Sequence, residues 1–515
     1  MKKLFYIIFL ALSLVWSACN KILEEHRLGA MAPEDYFTSK AAGEAAVLGA
    51  YAYMAGYEDY GNDIQMSVGA RDDQYKIAYA GDHLNMDLIL PVTPQNEKTR
   101  TQWLRIYSEI SCCNNAISGI PNIPSDKITA ADTATLIAEA KVIRAFNYFR
   151  LVRMYGAVPY IDKFVTDPAA VASTTKMPTA DIYTHIIADL EASKDKLPNK
   201  YDAGTTPVRG RVSKGTAYTV LADVYLTRQN WTKALENAKY VIDHKADFGY
   251  DLMSDFKMAF NFFPGTTSQE AIWVAEFKSG DAGYSTGRDQ LIMLTGLPSW
   301  FGWNIGGWAT AYASAQSLND FDAADYRRKV TFWEDAPDNN GVMHHYDEAG
   351  KPFPQSCPAI RKLMWSYIGT NLQDACYNTD MKWPIYRYAE VLLIAAEAEN
   401  ELNGPVNAYQ YINQVRARAR NYDGVLNSSL IPANLSGLSK DDFRTAVILE
   451  RKVELAFEFK RWFDITRLNL TLSTVFGPTG TDPLPNSSQI TQTYMFFPIP
   501  QVDTDLNPNL LLPVD

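Results

Sequence analysis

At 515 residues, with 47% hydrophobic and 21% charged positions, the chain has the composition of a folded globular protein, which excludes disorder, collagen and coiled coil as global descriptions. Its 48 Lys and Arg against 59 Asp and Glu leave a formal charge of -11, a balance that repels polyanions and argues against nucleic acid as a partner. Aromatic residues reach 12%, with 30 Tyr and 11 Trp, and flat rings with a polar edge suit wet, stacking surfaces.

The chain starts with Lys2 and Lys3, then an apolar run from Leu4 to Trp16 broken only by Ser13, then Ser17-Ala18-Cys19. This is the pattern of a secretion signal over residues 1–18. The run is shorter than the roughly 20 apolar residues that cross a bilayer as a helix, and no later stretch reaches that length. Small residues directly before Cys19 resemble a bacterial lipobox, in which the peptide is cut before the cysteine and acyl chains on it supply the anchor, at about 0.8 kcal/mol per buried methylene. A plain signal peptide with a chance cysteine is the alternative. Loss of Lys2 and Lys3 takes the formal charge from -11 to -13. Residues 19–36, with Asn20-Lys21-Ile22-Leu23-Glu24-Glu25 at their start, then form a tether.

Beyond the tether, apolar residues recur every three or four positions over 37–57, 100–119, 130–155, 179–197, 213–245, 384–420 and 440–468, which predicts helices there. Residues 58–98 mix Tyr, Asp, Asn and Pro, and residues 246–383 are rich in Gly, Pro, Trp and Asn; both are expected to be irregular. Trp103 starts a helical run with Tyr107 and Ile110 on its face, a core pattern. Cys112 and Cys113 are adjacent in a helical segment without the spacing of a zinc site. Cys357 and Cys376 can close a disulfide in an oxidising compartment, although spacing alone does not decide it.

Within 216–244, Tyr218, Leu221, Ala222, Tyr225, Ala234, Ala238 and Val241 fall on the offsets of a tetratricopeptide unit. Leu392, Ala395, Ala396, Ala408, Ile412 and Val415 repeat those offsets, with Glu399 in place of the Tyr. Small residues at these points let two antiparallel helices approach closely, and such units bury their apolar faces by stacking on neighbours. The fold class expected is therefore mainly α, a tetratricopeptide-like scaffold of helix pairs carrying a long irregular insertion, with 37–515 as one domain.

Catalytic and metal signatures are weak. Glu450, Glu454 and Glu458 recur every fourth residue, as paired carboxylates for glycoside hydrolysis would, but Arg451, Lys452, Lys460, Arg461 and Arg467 crowd the same stretch and point to ion pairs. His344-His345 are adjacent rather than four apart on a helix, and neither HExxH nor GxSxG occurs. Calcium is the one metal the acidic turns suggest. Asp335, Asp338, Asn339 and Asn340, and Asp320, Asp322 and Asp325, offer hard oxygen ligands without EF-hand spacing, and turn chemistry or helix capping accounts for both sets.

Four stretches in order resemble the SusD/RagB family of outer-membrane nutrient-binding lipoproteins of Bacteroidetes. They are 139–159, ending in Tyr155-Gly156 and Pro159; 386–419, from Tyr386-Arg387-Tyr388-Ala389-Glu390 to Arg416-Ala417-Arg418-Ala419; 449–468, with Glu450-Arg451 and Glu458-Phe459-Lys460-Arg461-Trp462-Phe463-Asp464; and the tail, with Phe497-Pro498-Ile499-Pro500 and Asn507-Pro508-Asn509. The resemblance implies four tetratricopeptide-like helix pairs supporting an irregular ligand-binding region, no enzymatic activity and no cofactor. It further implies a lipid anchor at Cys19 on the outer face of the outer membrane, and a SusC-like TonB-dependent transporter as partner.

Neutral sugars offer no charge to grip, so their binding proteins stack rings on pyranose faces and hold hydroxyls with polar side chains. Trp300, Trp303 and Trp308, set among four glycines from Gly296 to Gly307, suit such a platform; the alternative is that they anchor the loop. The family's other ligand-lining segment corresponds to 58–98, where Arg71, Asp72, Asp73, Tyr75 and Asn96 are the polar candidates, with turn formation or helix capping as the alternative for the two aspartates. The expected ligand is an oligosaccharide captured for delivery to the transporter. A peptide or other nutrient, or a surface glycoside hydrolase activity, are the rivals.

Overall fold

The structure, a computed structural model, describes residues 36–77, 92–203, 206–260, 268–277, 290–297, 307–338, 340–347, 357–362, 381–422, 425–426, 430–470, 474–477, 479–484 and 492–514. Its longer helices are α1 Lys40–Met54, α2 Glu97–Gly119, α3 Ala130–Tyr155, α4 Thr179–Ser193, α5 Lys214–Thr227, α6 Trp231–Asp243, α7 Tyr388–Asn403, α8 Pro405–Ala419 and α9 Lys440–Glu454. They pack as four successive pairs, α1 with α2, α3 with α4, α5 with α6 and α7 with α8, the mainly helical, tetratricopeptide-like architecture that the repeat offsets predict.

Local chemistry sets the ends of these helices. Thr129 caps α3 by accepting the Asp132 N–H at 3.0 Å, and Gly156, at φ 75°, ends it in a backbone region that a side chain disfavours. The α5 start is a capping box between Ser213 and Thr216. Gly404, at φ 82°, is the single residue between α7 and α8, and Pro405 opens α8 where no N–H is needed.

Packing follows from residue size. Ala222, Ala234, Ala238 and Val241 in the first repeat, and Leu392, Ala395, Ala396, Ala408, Ile412 and Val415 in the second, are all fully buried. Glu399, which replaces the aromatic ring of the second repeat, instead accepts from Asn403 Nδ2 at 3.0 Å and Asn407 Nδ2 at 3.3 Å, tying the end of α7 to the start of α8.

Two predicted helices differ from the structure. The segment 384–420 starts as a strand, β4 Lys382–Arg387, which pairs antiparallel with β2 Ala271–Glu276; Pro384 within it cannot supply a helical N–H. This pair pins the long insertion to the scaffold near both of its ends. The segment 440–468 breaks after Glu454, where Phe457 and Phe459 take φ of 63° and 59°. That left-handed geometry costs about 1–2 kcal/mol per residue and is offset by ring packing: Phe459 stacks on Trp383 at 5.0 Å and Phe457 meets Tyr75 edge-on at 5.0 Å.

The break also completes a buried ion network. Glu454 lies between Arg327, Arg387 and Arg418, Glu458 takes Arg387 and Lys362 at 2.7 Å each, and Glu270 bridges Arg387 and Arg418. Against the cost of burial, Arg418, Arg387 and Arg327 hold the Glu454 carboxyl down at about 2. The evenly spaced glutamates are thus spent on ion pairs.

Candidate functional site

A second strand pair joins the two irregular regions. β1 Tyr75–Ile77 runs antiparallel to β3 Ala311–Ala313, with Ile77 opposite Ala311, so the chain leaves β1 at the same end by which residues 307–310 enter β3. Serine chemistry reinforces the join: Ser314 N–H donates to Gln74 O at 2.7 Å and its hydroxyl to Asp73 O at 2.8 Å.

Trp308 sits at this end and is 45% exposed, an unusual position for so large an apolar ring. Its backbone is fixed to the short helix Leu291–Thr295: Trp308 N–H donates to Met293 O at 2.7 Å, Gly307 N–H to Leu297 O at 3.0 Å and Ala309 N–H to Gly296 O at 3.1 Å. Gly307 is required for that approach, since a Cβ there would stand 2.2 Å from Gly296 O. The helix is held in turn by the segment 57–62. Gln290 N–H donates to Gly61 O at 2.8 Å, and Asn62 Nδ2 donates to Gln290 Oε1 at 3.2 Å. Asn62 and Gln290 were not among the sequence candidates; they lie 228 positions apart, and no local pattern links them. Trp300, Trp303 and Cys19 lie outside the described residues.

The polar candidates from 58–98 face inward. Arg71 is 1% exposed, donates to Tyr494 O and lies against the rings of Trp462 and Phe497 at 5.2 and 5.3 Å; burial pulls its guanidinium down to about 9. Asp72 accepts the Gln74 and Tyr75 N–H groups at 2.8 and 3.1 Å, a turn within its own segment, and burial, then the neighbouring Asp73, pushes its carboxyl up to about 8. Asp73 pairs with Arg461 at 2.8 Å and Lys452 at 2.9 Å, which hold its carboxyl well below the usual range against the cost of burial. The buried Tyr75 donates its hydroxyl to Phe457 O at 3.1 Å. Asn96 caps α2 by accepting the Thr99 N–H at 3.0 Å. These five residues seat β1 and α2 on the scaffold and present no open face to a ligand.

Other candidates resolve into structure as well. Trp103 is buried, and Tyr107 donates its hydroxyl to Pro159 O at 2.7 Å. Asp338 accepts the Asn340 and Val342 N–H groups at 2.8 and 3.0 Å, Asp322 accepts that of Ala324 at 2.8 Å, and Asp325 caps the helix Tyr326–Thr331 while pairing with Arg327 at 2.8 Å. Asp320 pairs with Lys452 at 2.5 Å, and Asp335 lies in a strand opposite His345. His344 and His345 meet Asp338 and Asp347 separately. Asn339 and Cys376 lie outside the described residues. Among the described residues, no group of three or more His, Cys, Asp and Glu is placed to hold a metal ion, and no helix is long and apolar enough to cross a membrane.

A cavity of about 510 Å³ lies elsewhere, between α2, residues 159–174 and the tail around Leu506 and Leu510, and shares no lining residue with the Trp308 segment. Asn114, at its edge, already donates to Ile161 O at 2.8 Å. Its wall combines aliphatic side chains with Trp103, Tyr107 and polar residues such as Ser111, Lys163 and Asp503.

Comparison with known proteins supplies the lineage. Residues 269–511 match the SusD family, and residues 35–226 match a family described as starch-binding associating with outer membrane. SusD-like protein P2 of Formosa agariphila is 35% identical, covering 99% of both chains. A SusD homolog from Bacteroides thetaiotaomicron superposes with a TM-score of 0.78 at 23% identity, covering 93% of this chain and 97% of its own. A laminarin binding SusD-like protein superposes with a TM-score of 0.72 at 19% identity, covering 92% and 98%. These superpositions show a shared fold.

Proposed function

The chain belongs to the SusD family, and on that premise we propose that it is a surface lipoprotein that captures an oligosaccharide and passes it to a SusC-like TonB-dependent transporter in the outer membrane. Cys19 is the proposed lipidation site, and Trp300, Trp303 and Trp308 the proposed stacking platform. The observation that carries this reading is the half-exposed Trp308 on a backbone fixed by three hydrogen bonds to residues 293–297. A backbone held in advance lowers the ordering cost when a sugar face settles on the side chain. The laminarin-binding relative and the starch-binding family description support a glycan over a peptide as ligand. The evenly spaced carboxylates Glu450, Glu454 and Glu458 are engaged with arginines, which supports binding without turnover.

Calorimetric titration of the mature protein against purified polysaccharides, laminarin and starch first, tests the proposal. Saturable binding that falls at least about tenfold, or 1.4 kcal/mol, on Trp308→Ala supports it. Absence of binding across the panel, or release of reducing ends by the purified protein, overturns it.

A further inference from the structure

Beneath the turn 57–62 lies a group of charges that glycan capture does not use. Asp59 and Glu109 are fully buried and Arg150 nearly so. Arg150 Nη2 donates to Asp59 Oδ1, while Nη1 lies 3.5 Å from Glu109 Oε2 and 3.3 Å from Asn147 Oδ1. Gln102 Nε2 donates to Glu58 O at 2.7 Å and reaches Asp59 Oδ1 at 3.4 Å. One guanidinium therefore faces two carboxyl groups in a space closed to water. The oxygens left over, Asp59 Oδ2 and Glu109 Oε1, find no donor among the described residues, and two negative charges sharing such a site do not both persist.

The surrounding groups do not relieve this. Tyr60 on the turn is neutral, its hydroxyl pushed up by burial, with Arg150 and Arg153 of α3 beside it. The thiols of Cys112 and Cys113 on α2 are neutral too, burial pushing Cys112 up to about 11 and Cys113 well above its ordinary value. The Glu109 carboxyl is itself held well above the usual range, first by burial and then by the charge of Asp59.

We propose that Glu109 retains its proton in the folded protein, and that this proton is a structural part of the ligand-bearing face. It keeps the turn 57–62 seated on α2 and α3, and through Gly61 and Asn62 it holds Gln290, the helix Leu291–Thr295 and the Trp308 backbone. Ionisation of Glu109 would place an unpaired charge under the turn and loosen that chain of contacts. The effect on ligand capture rests on the platform reading of Trp308; the proton does not.

The sign follows from linkage. A carboxyl whose folded value lies above its ordinary value of about 4.3 contributes stability fully present below that pH. The contribution is lost as pH rises towards the folded value, by up to about tenfold in the unfolding constant per pH unit. Glu109→Gln keeps the shape and the donor to Asp59 and removes this dependence.

Two ligand-free measurements on the folded protein test it. Infrared spectroscopy at neutral pH should show protonated carboxylic acid absorption that is weaker in E109Q than in wild type, the remainder coming from buried carboxyls such as Asp72. Hydrogen exchange of residues 57–62 and 290–297, away from the Asp72 strand and normalised to α7, should show protection falling with rising alkaline pH in wild type and falling less in E109Q. No acid band lost between the two, or matching pH profiles, overturns the proposal; if E109Q does not fold, a flat wild-type profile does so alone. Neither readout involves a glycan, so failure of glycan binding leaves this result standing, and the reverse also holds.

Discussion

The pair α7 and α8 and the region around Trp308 are held by opposite means. The helix pair is joined through one glycine and packed through fully buried Ala395, Ala396, Ala408 and Ile412, contacts between residues close in sequence. The region around Trp308 is held by polar links across the chain, such as Ser314 to Asp73, 241 positions apart, and Arg461 to Asp73, 388 apart. Apolar packing is nearly indifferent to pH and salt, whereas buried charges depend on both of their partners. One molecule thus carries a robust scaffold and a conditional face, and their junction is the ion network around Glu454.

The sharpest way to break that contrast is at the junction. Glu454→Ala leaves Arg327, Arg387 and Arg418 facing one another, and is expected to cost about 3–5 kcal/mol in denaturant unfolding. Acid acts through the same residue. Because its carboxyl is held down at about 2, the stability it contributes is present above the ordinary value and lost as pH falls from there through the folded value, on the order of 3 kcal/mol; unfolding midpoints measured between neutral and strongly acidic pH should fall less steeply in Glu454→Ala than in wild type, the remainder coming from carboxyls such as Asp73. Within the scaffold, Leu392→Ala should cost about 3 kcal/mol through the cavity it leaves, with a cost that does not change with pH. Asn96→Ala removes only a helix cap, about 1 kcal/mol, and should leave glycan affinity intact, which separates its role from that of a ligand contact. Trp308→Ala should move stability by no more than about 0.5 kcal/mol while lowering glycan affinity, as calorimetry and thermal melts on the same samples would show.

Much of the scaffold was legible because its signals are local. Thr129, the periodic run behind it and Gly156 mark α3 at both ends, and the alanine offsets of 216–244 and 392–415 mark the helix pairs. The failures share a cause. Asp72 makes the turn that its sequence offers as the alternative to a ligand grip, whereas Asp73 is paired by Arg461 and Lys452, residues that no local pattern associates with it. The break after Glu454 carries no glycine; aromatic packing of Phe457 and Phe459 imposes it from a distance. Strand β4 was absorbed into a predicted helix although Pro384 argues against helix there. Of the proposed platform, Trp308 stands out in sequence as an aromatic in a glycine-rich stretch, whereas the Asn62–Gln290 clamp that steadies its backbone does not.

The antiparallel pairing of β1 with β3 also dictates an order of assembly. Its strands are 236 positions apart between Tyr75 and Ala311, so the entropy of closing that loop falls due before the pairing returns anything. The neighbouring helix pairs close over far shorter stretches of chain and can form first. The Trp308 segment therefore takes its place after them, and is missing from any chain that stalls before this loop closes.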